Sequence, residues 1–165
     1  MRKKIENLVD EGFRVSLIET AFFDGKLEIP HIDGPDKIII PSGMVPFSIR
    51  TRSLDKNDFV CFYEHDANFR EILTETESYV DELKQYPGVI TPDCSLYIDA
   101  PLCVQIAGIY LNRAIGYYLQ KKVYMLFQIY VGEMRGHIIV RCLERKLLFK
   151  VLINIVLFQL EHMDR

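Results

Sequence analysis

The last 43 residues of this 165-residue chain contain no serine, no threonine, no alanine and no proline. The preceding 122 residues contain six, five, five and seven of these. At that rate the tail would carry about eight, because turns and close packing draw on such residues in most globular sequences. Tryptophan is missing throughout, and the four cysteines, Cys61, Cys94, Cys103 and Cys142, form no Cys-x-x-Cys pair. That scatter argues against a structural zinc site or a disulfide framework and fits a reduced, cytoplasmic protein. The net charge is only −3. It argues against a surface given over to nucleic acid and leaves room for a local basic patch.

Other absences narrow the field further. No phosphate-binding Walker loop, GxGxxG, HExxH, GxSxG or Ser-His-Asp order is present, so no motif names a cofactor, a metal or a partner. The most membrane-like run, Lys146 to Leu160, is interrupted by Lys150, Asn154 and Gln159. It falls short of the roughly 20 residues a spanning helix needs, so no membrane span is expected. The opening MRKKIENLVDEGF begins basic, but Glu6, Asp10 and Glu11 fall where a signal peptide would have its apolar core.

What is present, up to Lys122, reads as alternating strand and helix. Residues 1–25 allow one short helix and a turn at FFDGK. KIII, Lys37 to Ile40, is a β-like run between Pro35 and Pro41, and SGMVPF reads as a turn. Phe59 to Tyr63 forms a strand that ends in polar residues. In NFREILTETESYVDELKQY, Phe69, Ile72, Leu73, Tyr79, Val80, Leu83 and Tyr86 recur at helical spacing. Glu71, Glu75, Glu77, Asp81 and Glu82 fall on its wet face. Pro87-Gly88 ends that helix, Val89 to Thr91 make a short strand, and Pro101 opens a helix that is apolar on nearly every side and should therefore be buried. Strands this short and apolar, alternating with helices, point to an α/β domain with buried parallel strands.

Sites on such folds gather at the carboxyl ends of the strands. Asp93, Ser95, Tyr97 and Asp99 come just after the Val89–Thr91 strand. Asp93 and Asp99 are the candidate catalytic pair, able to share acid and base roles or hold Mg²⁺. The competing reading is local: Asp93 after Pro92 suits an Asx turn, and Asp99 favours the positive end of the next helix. Gln105, Asn112 and Arg113 form a second polar cluster. Gln105 and Asn112 share a helix face, with Gly108 between them leaving room for a backbone or a ligand. They either bond the loop around Asp93 or line a pocket. Asp66, after the Phe59–Tyr63 strand, is a further binding candidate that could equally cap the next helix. His31 and His65 lie in loops and His137 and His162 in the tail, and none is assigned a role.

The segment Tyr86 to Lys122, YPGVITPDCSLYIDAPLCVQIAGIYLNRAIGYYLQKK, reads Y-x-x-V-x-T-P-D-x-S-L-Y-x-D-A-P, then Q-I, then an Asn-Arg pair with G-x-Y-x-Q after it. In this it resembles an uncharacterised family of bacterial and phage proteins, the domain of unknown function 4417 family. The shared positions are Val89, Thr91, Pro92, Asp93, Ser95, Leu96, Tyr97, Asp99, Pro101, Gln105, Ile106, Asn112, Arg113, Gly116, Tyr118 and Gln120. Ala100 stands where the family tends to have Met, and Leu111 where it tends to have Arg. Upstream, MVPFSIRTR and FYEHDANFREI resemble two further blocks, with His65 departing from the first of two Asp. The resemblance runs from about Ser42 to Lys122 and implies that a block G-(I/L)-x-V-I-P-x-(I/V)-x-W should come next.

That block is absent from the chain as translated and legible in another frame. Regrouping the bases with an offset of two from Lys122 permits G-I-Y-V-I-P-N-I-R-W-G-D-E-R, and S-I-G-T-Y-G around Phe158 to Met163. Gln120-Lys121-Lys122 can be encoded by a run of A, where loss of one base is expected. Residues 1–122 thus read as the N-terminal portion of one α/β domain, barrel-like in its repeat and truncated on its C-terminal side. Residues 123–165 read as an out-of-frame tail. Such a chain is expected to be a truncated or frameshifted copy of phage or mobile-element type, with poor stability and no activity of its own. The alternatives are an enzyme using Asp93 and Asp99, or a non-catalytic binding protein reading a partner through Arg50, Arg52 and Arg113. Resequencing the gene across the codons for Lys121 and Lys122 is expected to show one more A. An unchanged run would make the tail a genuine product of the gene.

Overall fold

The computed structural model describes residues 13–34, 39–53, 56–97, 99–123 and 126–127. A two-stranded antiparallel hairpin comes first, β1 (Phe23–Asp24) against β2 (Ile29–Pro30). The chain turns back at the FFDGK stretch, and a single 3₁₀ turn at Val15–Leu17 precedes it. Beyond the hairpin lies a parallel sheet with order β3 (Met44–Pro46), β4 (Phe59–Cys61), β5 (Val89–Ile90) and β6 (Leu126–Phe127). Each described strand is added beside the previous one, as in a barrel. The expected barrel-like form is not reached: among the described residues the sheet is open, with β3 and β6 at its edges.

β4 is buried at every position, and so is β5. This is why both read as short continuous apolar runs: a parallel strand covered on both faces has no wet side to alternate with. The strand predicted at Lys37–Ile40 is displaced. Its first two residues lie outside the described set, Ile39 and Ile40 are not in a strand, and Ile40 is 56% exposed. Its place is taken by Met44–Pro46, expected from sequence to be a turn. Val45 is the reason, because it buries its side chain in the core while its backbone pairs with Val60.

The predicted helix over residues 68–86 is broken into α1 (Arg70–Thr74) and α2 (Val80–Leu83), each preceded by a 3₁₀ turn. Glu75 leaves the helical region at φ −133°, ψ 41°. Thr76 is buried and its Oγ1 donates to the Ile72 carbonyl at 2.7 Å. A threonine hydroxyl offering the backbone a local partner of this kind competes with continued helix. The apolar face is nonetheless the one expected, since Phe69, Ile72, Val80, Leu83 and Tyr86 are all in the core. Of the five carboxylates only Glu82 departs from the wet face. It pairs with Arg50 at 2.9 Å.

Arg50 is 7% exposed and sits inside an aromatic cluster. Its guanidinium carbon lies 3.7 Å from the Phe47 ring centroid and 4.9 Å from that of Tyr79. Its Nη1 donates to the Phe47 carbonyl at 2.5 Å, and the Tyr86 hydroxyl donates to the Arg50 carbonyl at 2.5 Å. The side chain is thus a structural cation, and the expectation that Arg50 reads a partner at the surface is corrected. Removing one member of a buried ion pair leaves the other charge uncompensated.

The sequence predicts that α3 (Leu102–Gln120) is buried all round. Its C-terminal half is: Ala114, Ile115, Gly116, Tyr117 and Leu119 are buried. Its N-terminal half is not, with Leu102 67% and Val104 56% exposed. The core needs only the half that meets the hairpin and the sheet. There Tyr117 donates its hydroxyl to the Thr20 carbonyl at 2.8 Å, and Gln120 bonds the Asp33 backbone in both directions, at 2.5 and 3.0 Å. After the helix Val123 packs against the core and β6 joins β5. No helix among the described residues is long and apolar enough to cross a membrane, and Lys146–Leu160 lies outside them.

Gly88 supports the Phe59 ring, three of whose carbons would lie 2.6 to 2.9 Å from any added Cβ. Gly88→Ala is expected to lower stability by about 1–3 kcal/mol in urea titrations, as overpacking does elsewhere. Arg50→Ala should cost roughly 3–5 kcal/mol by the same measurement.

Candidate functional site

Pairing β4 with β5 in parallel brings the segments at their carboxyl ends to one edge of the sheet. Asp66 enters from the first and Asp93 from the second. Two side chains clamp the 93–95 loop. Asn112 on α3 accepts a hydrogen bond from the Cys94 amide at 2.9 Å. Asp66 accepts from the Ser95 amide at 3.2 Å through each oxygen, and from the Ser95 hydroxyl at 2.9 Å. Asp66 opens a 3₁₀ turn whose N-cap residue, His65, makes no side-chain cap bond, and the Asp66 carboxylate is used across to Ser95.

The Asp93 carboxyl is half-buried and accepts no hydrogen bond from any described residue. Burial pushes it up from 3.8 to about 7, and the charge of Asp66 adds to the shift. The Cys94 thiol beside it is pushed up to about 12, first by burial and then by Asp66 and Asp93. It is therefore a protonated, inert thiol at ordinary pH.

The other candidates divide between this edge and elsewhere. Ser95 and Tyr97 are exposed at it, Tyr97 at 64%. Gln105 donates its Nε2 to the Ala100 carbonyl at 2.8 Å and so fixes the loop to α3. Gly108 does admit a close neighbour, which is the Leu96 side chain, 3.1 Å from where a Cβ would stand. Arg113 is half-buried on α3. Burial lowers its pKa, and the charge that opposes this is Asp24 of the hairpin. Asp24 also holds His31, whose Nδ1 is 2.8 Å from Oδ2. Asp99 is exposed, and the carboxylate acting on Asp93 is Asp66. Asp66 and Asp93 thus both follow strand ends on this side of the sheet. Sequence offered the signal for it, a polar residue just after an apolar strand, but the competing role of helix cap was equally open. Among the described residues no group of three or more His, Cys, Asp or Glu side chains is set to hold a metal ion.

The residues that build this edge are those of a family pattern, and a family profile matches residues 21–143 of the chain, described as Domain of unknown function (DUF4417). The chain belongs to this family. No curated protein and no solved structure matches it. The DUF4417 match begins at the hairpin, takes in every described strand and runs past Lys122. Positions shared with the family pattern hold this edge together: Asn112 and Gln105 anchor the loop, and Ser95 engages Asp66.

A carboxyl that keeps its proton longer in the folded state than in the unfolded one lowers stability as pH rises. For Asp93 the loss begins near pH 4, where the unfolded group ionises, and is complete above about pH 7. Asp93→Asn removes the ionisation. The variant should match the parent below pH 4 and exceed it at pH 8 by about 1–3 kcal/mol, measured by urea unfolding across pH.

Proposed function

We propose that Asp66 and Asp93 form an acid–base site at the carboxyl edge of the sheet, and that the family domain is an enzyme working there. The observation that carries this is the placement of two carboxylates after the carboxyl ends of adjacent parallel strands, one bonded to Ser95 and the other half-buried without a hydrogen bond from the described residues. Two carboxylates in unlike surroundings are what acid–base work near neutral pH requires, since one must give a proton while the other takes one. Asp93 is the proton donor and Asp66 the carboxylate acceptor. Burial and like charge also mark Asp93 as a functional-site candidate on physical grounds. In carboxyl-resolved NMR, Asp93 should titrate near pH 7, and its midpoint should fall in Asp66→Asn. A midpoint near 4 in the parent chain would sink the reading.

The composition break favours a second reading, that this chain is a frameshifted copy of phage or mobile-element type with no activity of its own. Its support is the loss of serine, threonine, alanine and proline after Lys122 and the family block legible in the shifted frame. The DUF4417 match through residue 143 weighs on the other side. A copy lacking the strands beyond β6 would expose an unpaired sheet edge and aggregate. A soluble monomer that unfolds cooperatively on heating would exclude that reading. A binding-protein role through Arg50 is not supported, because that side chain is in the core.

A further inference from the structure

We propose that the Ser95 hydroxyl is the nucleophile of this edge, activated by Asp66 and directed at the carbonyl of a carboxylic ester with a short apolar acyl chain. The inference rests on the acid–base reading above and goes beyond it in naming a covalent step and a substrate class. Three observations point the same way. Ser95 is exposed, and its Oγ donates to Asp66 Oδ1 at 2.9 Å, the contact a nucleophile needs with its base. The Leu96 and Tyr97 amides next in the chain donate to no described residue, and these two consecutive N–H groups are assigned to the developing oxyanion. The apolar side chains of Tyr97, Leu102 and Val104 stand 64%, 67% and 56% exposed, Tyr97 two residues beyond Ser95 and the others in the first turn of α3, and the acyl chain is assigned to them.

The step balances without a further reagent. Ser95 Oγ bonds to the carbonyl carbon as its proton passes to Asp66. The ester C–O bond breaks, and Asp93 gives its proton to the departing alkoxide. Water then attacks the acyl-enzyme and its proton returns to Asp93, while Asp66 returns its own to Ser95 Oγ as the acid leaves. The net reaction is ester plus water to acid plus alcohol.

The test uses the full chain. Treatment with an alkyl fluorophosphonate, then intact-mass and peptide analysis, should give one adduct at Ser95. p-Nitrophenyl butyrate should give a burst of nitrophenol equal to the protein present. Ser95→Ala should abolish both, and Asp66→Asn should slow labelling by about tenfold or more, with unchanged melting temperatures showing that each variant is folded. No adduct on folded protein, an adduct elsewhere, or equal labelling of Ser95→Ala would overturn the nucleophile. If Asp93 still titrates near pH 7 in that case, the acid–base site survives and only Ser95's role is lost. If Asp93 titrates near 4, the site itself fails.

Discussion

The parallel pairing of β4 with β5 is the constraint on which the rest of the molecule depends. It is short, with Val60 opposite Val89 and the Val60 amide donating to the Gly88 carbonyl at 3.2 Å. Both strands are buried, so the pairing cannot slip without moving apolar side chains out of the core. It is also parallel, so the chain must cross the sheet between the two strands, and α1 and α2 supply that crossing. Because both strands run the same way, their carboxyl-terminal loops emerge at the same edge. Asp66 thereby reaches Ser95 in the loop that carries Asp93, although 27 positions of chain separate Asp66 from Asp93.

The site costs the fold something that the core supplies. A half-buried carboxyl without hydrogen bonds from the described residues, beside a second carboxylate, is unfavourable. Nothing in the packing demands it, and an asparagine of the same shape would avoid the charge. The Arg50–Glu82 pair is a contrast. That charge is buried too, but it has a carboxylate, a carbonyl and two aromatic faces around it. The Arg50 charge is surrounded by partners, while the Asp93 carboxyl is left short of them among the described residues.

Much of this was legible in the residues. β4 and β5 showed as apolar runs, α3 as a long apolar helix opened by Pro101, and Asp93, Ser95 and Asn112 as polar positions at strand end and helix face. What was not legible depended on contacts distant in sequence. Met44–Pro46 looks like a turn until Val60 is placed beside Val45. Thr76 looks like one more polar helix position until its hydroxyl is seen on the Ile72 carbonyl. Asp99 was the natural partner for Asp93 by proximity in the chain, while the carboxylate whose charge adds to the Asp93 shift comes from the end of a neighbouring strand. Arg50 looked like a surface cation because Tyr79 and Glu82, which with Phe47 enclose it, lie about 30 positions further along the chain.

The bonds that tie the hairpin region to α3 have a consequence for how the chain is made. Thr20 and Tyr117 are 97 positions apart, and Asp33 and Gln120 are 87 apart. During synthesis the hairpin leaves the ribosome long before the last turns of α3 exist, and it has no other described helix of comparable length to rest against. Contacts closed over such distances form late and slowly. Leu17, Ile18 and Ile32, all buried in the finished core, must therefore wait uncovered until some 120 residues have emerged. In a cell, the chain's most vulnerable interval precedes its final helix turn, and what shields those three side chains in the meantime decides how much of it survives to fold.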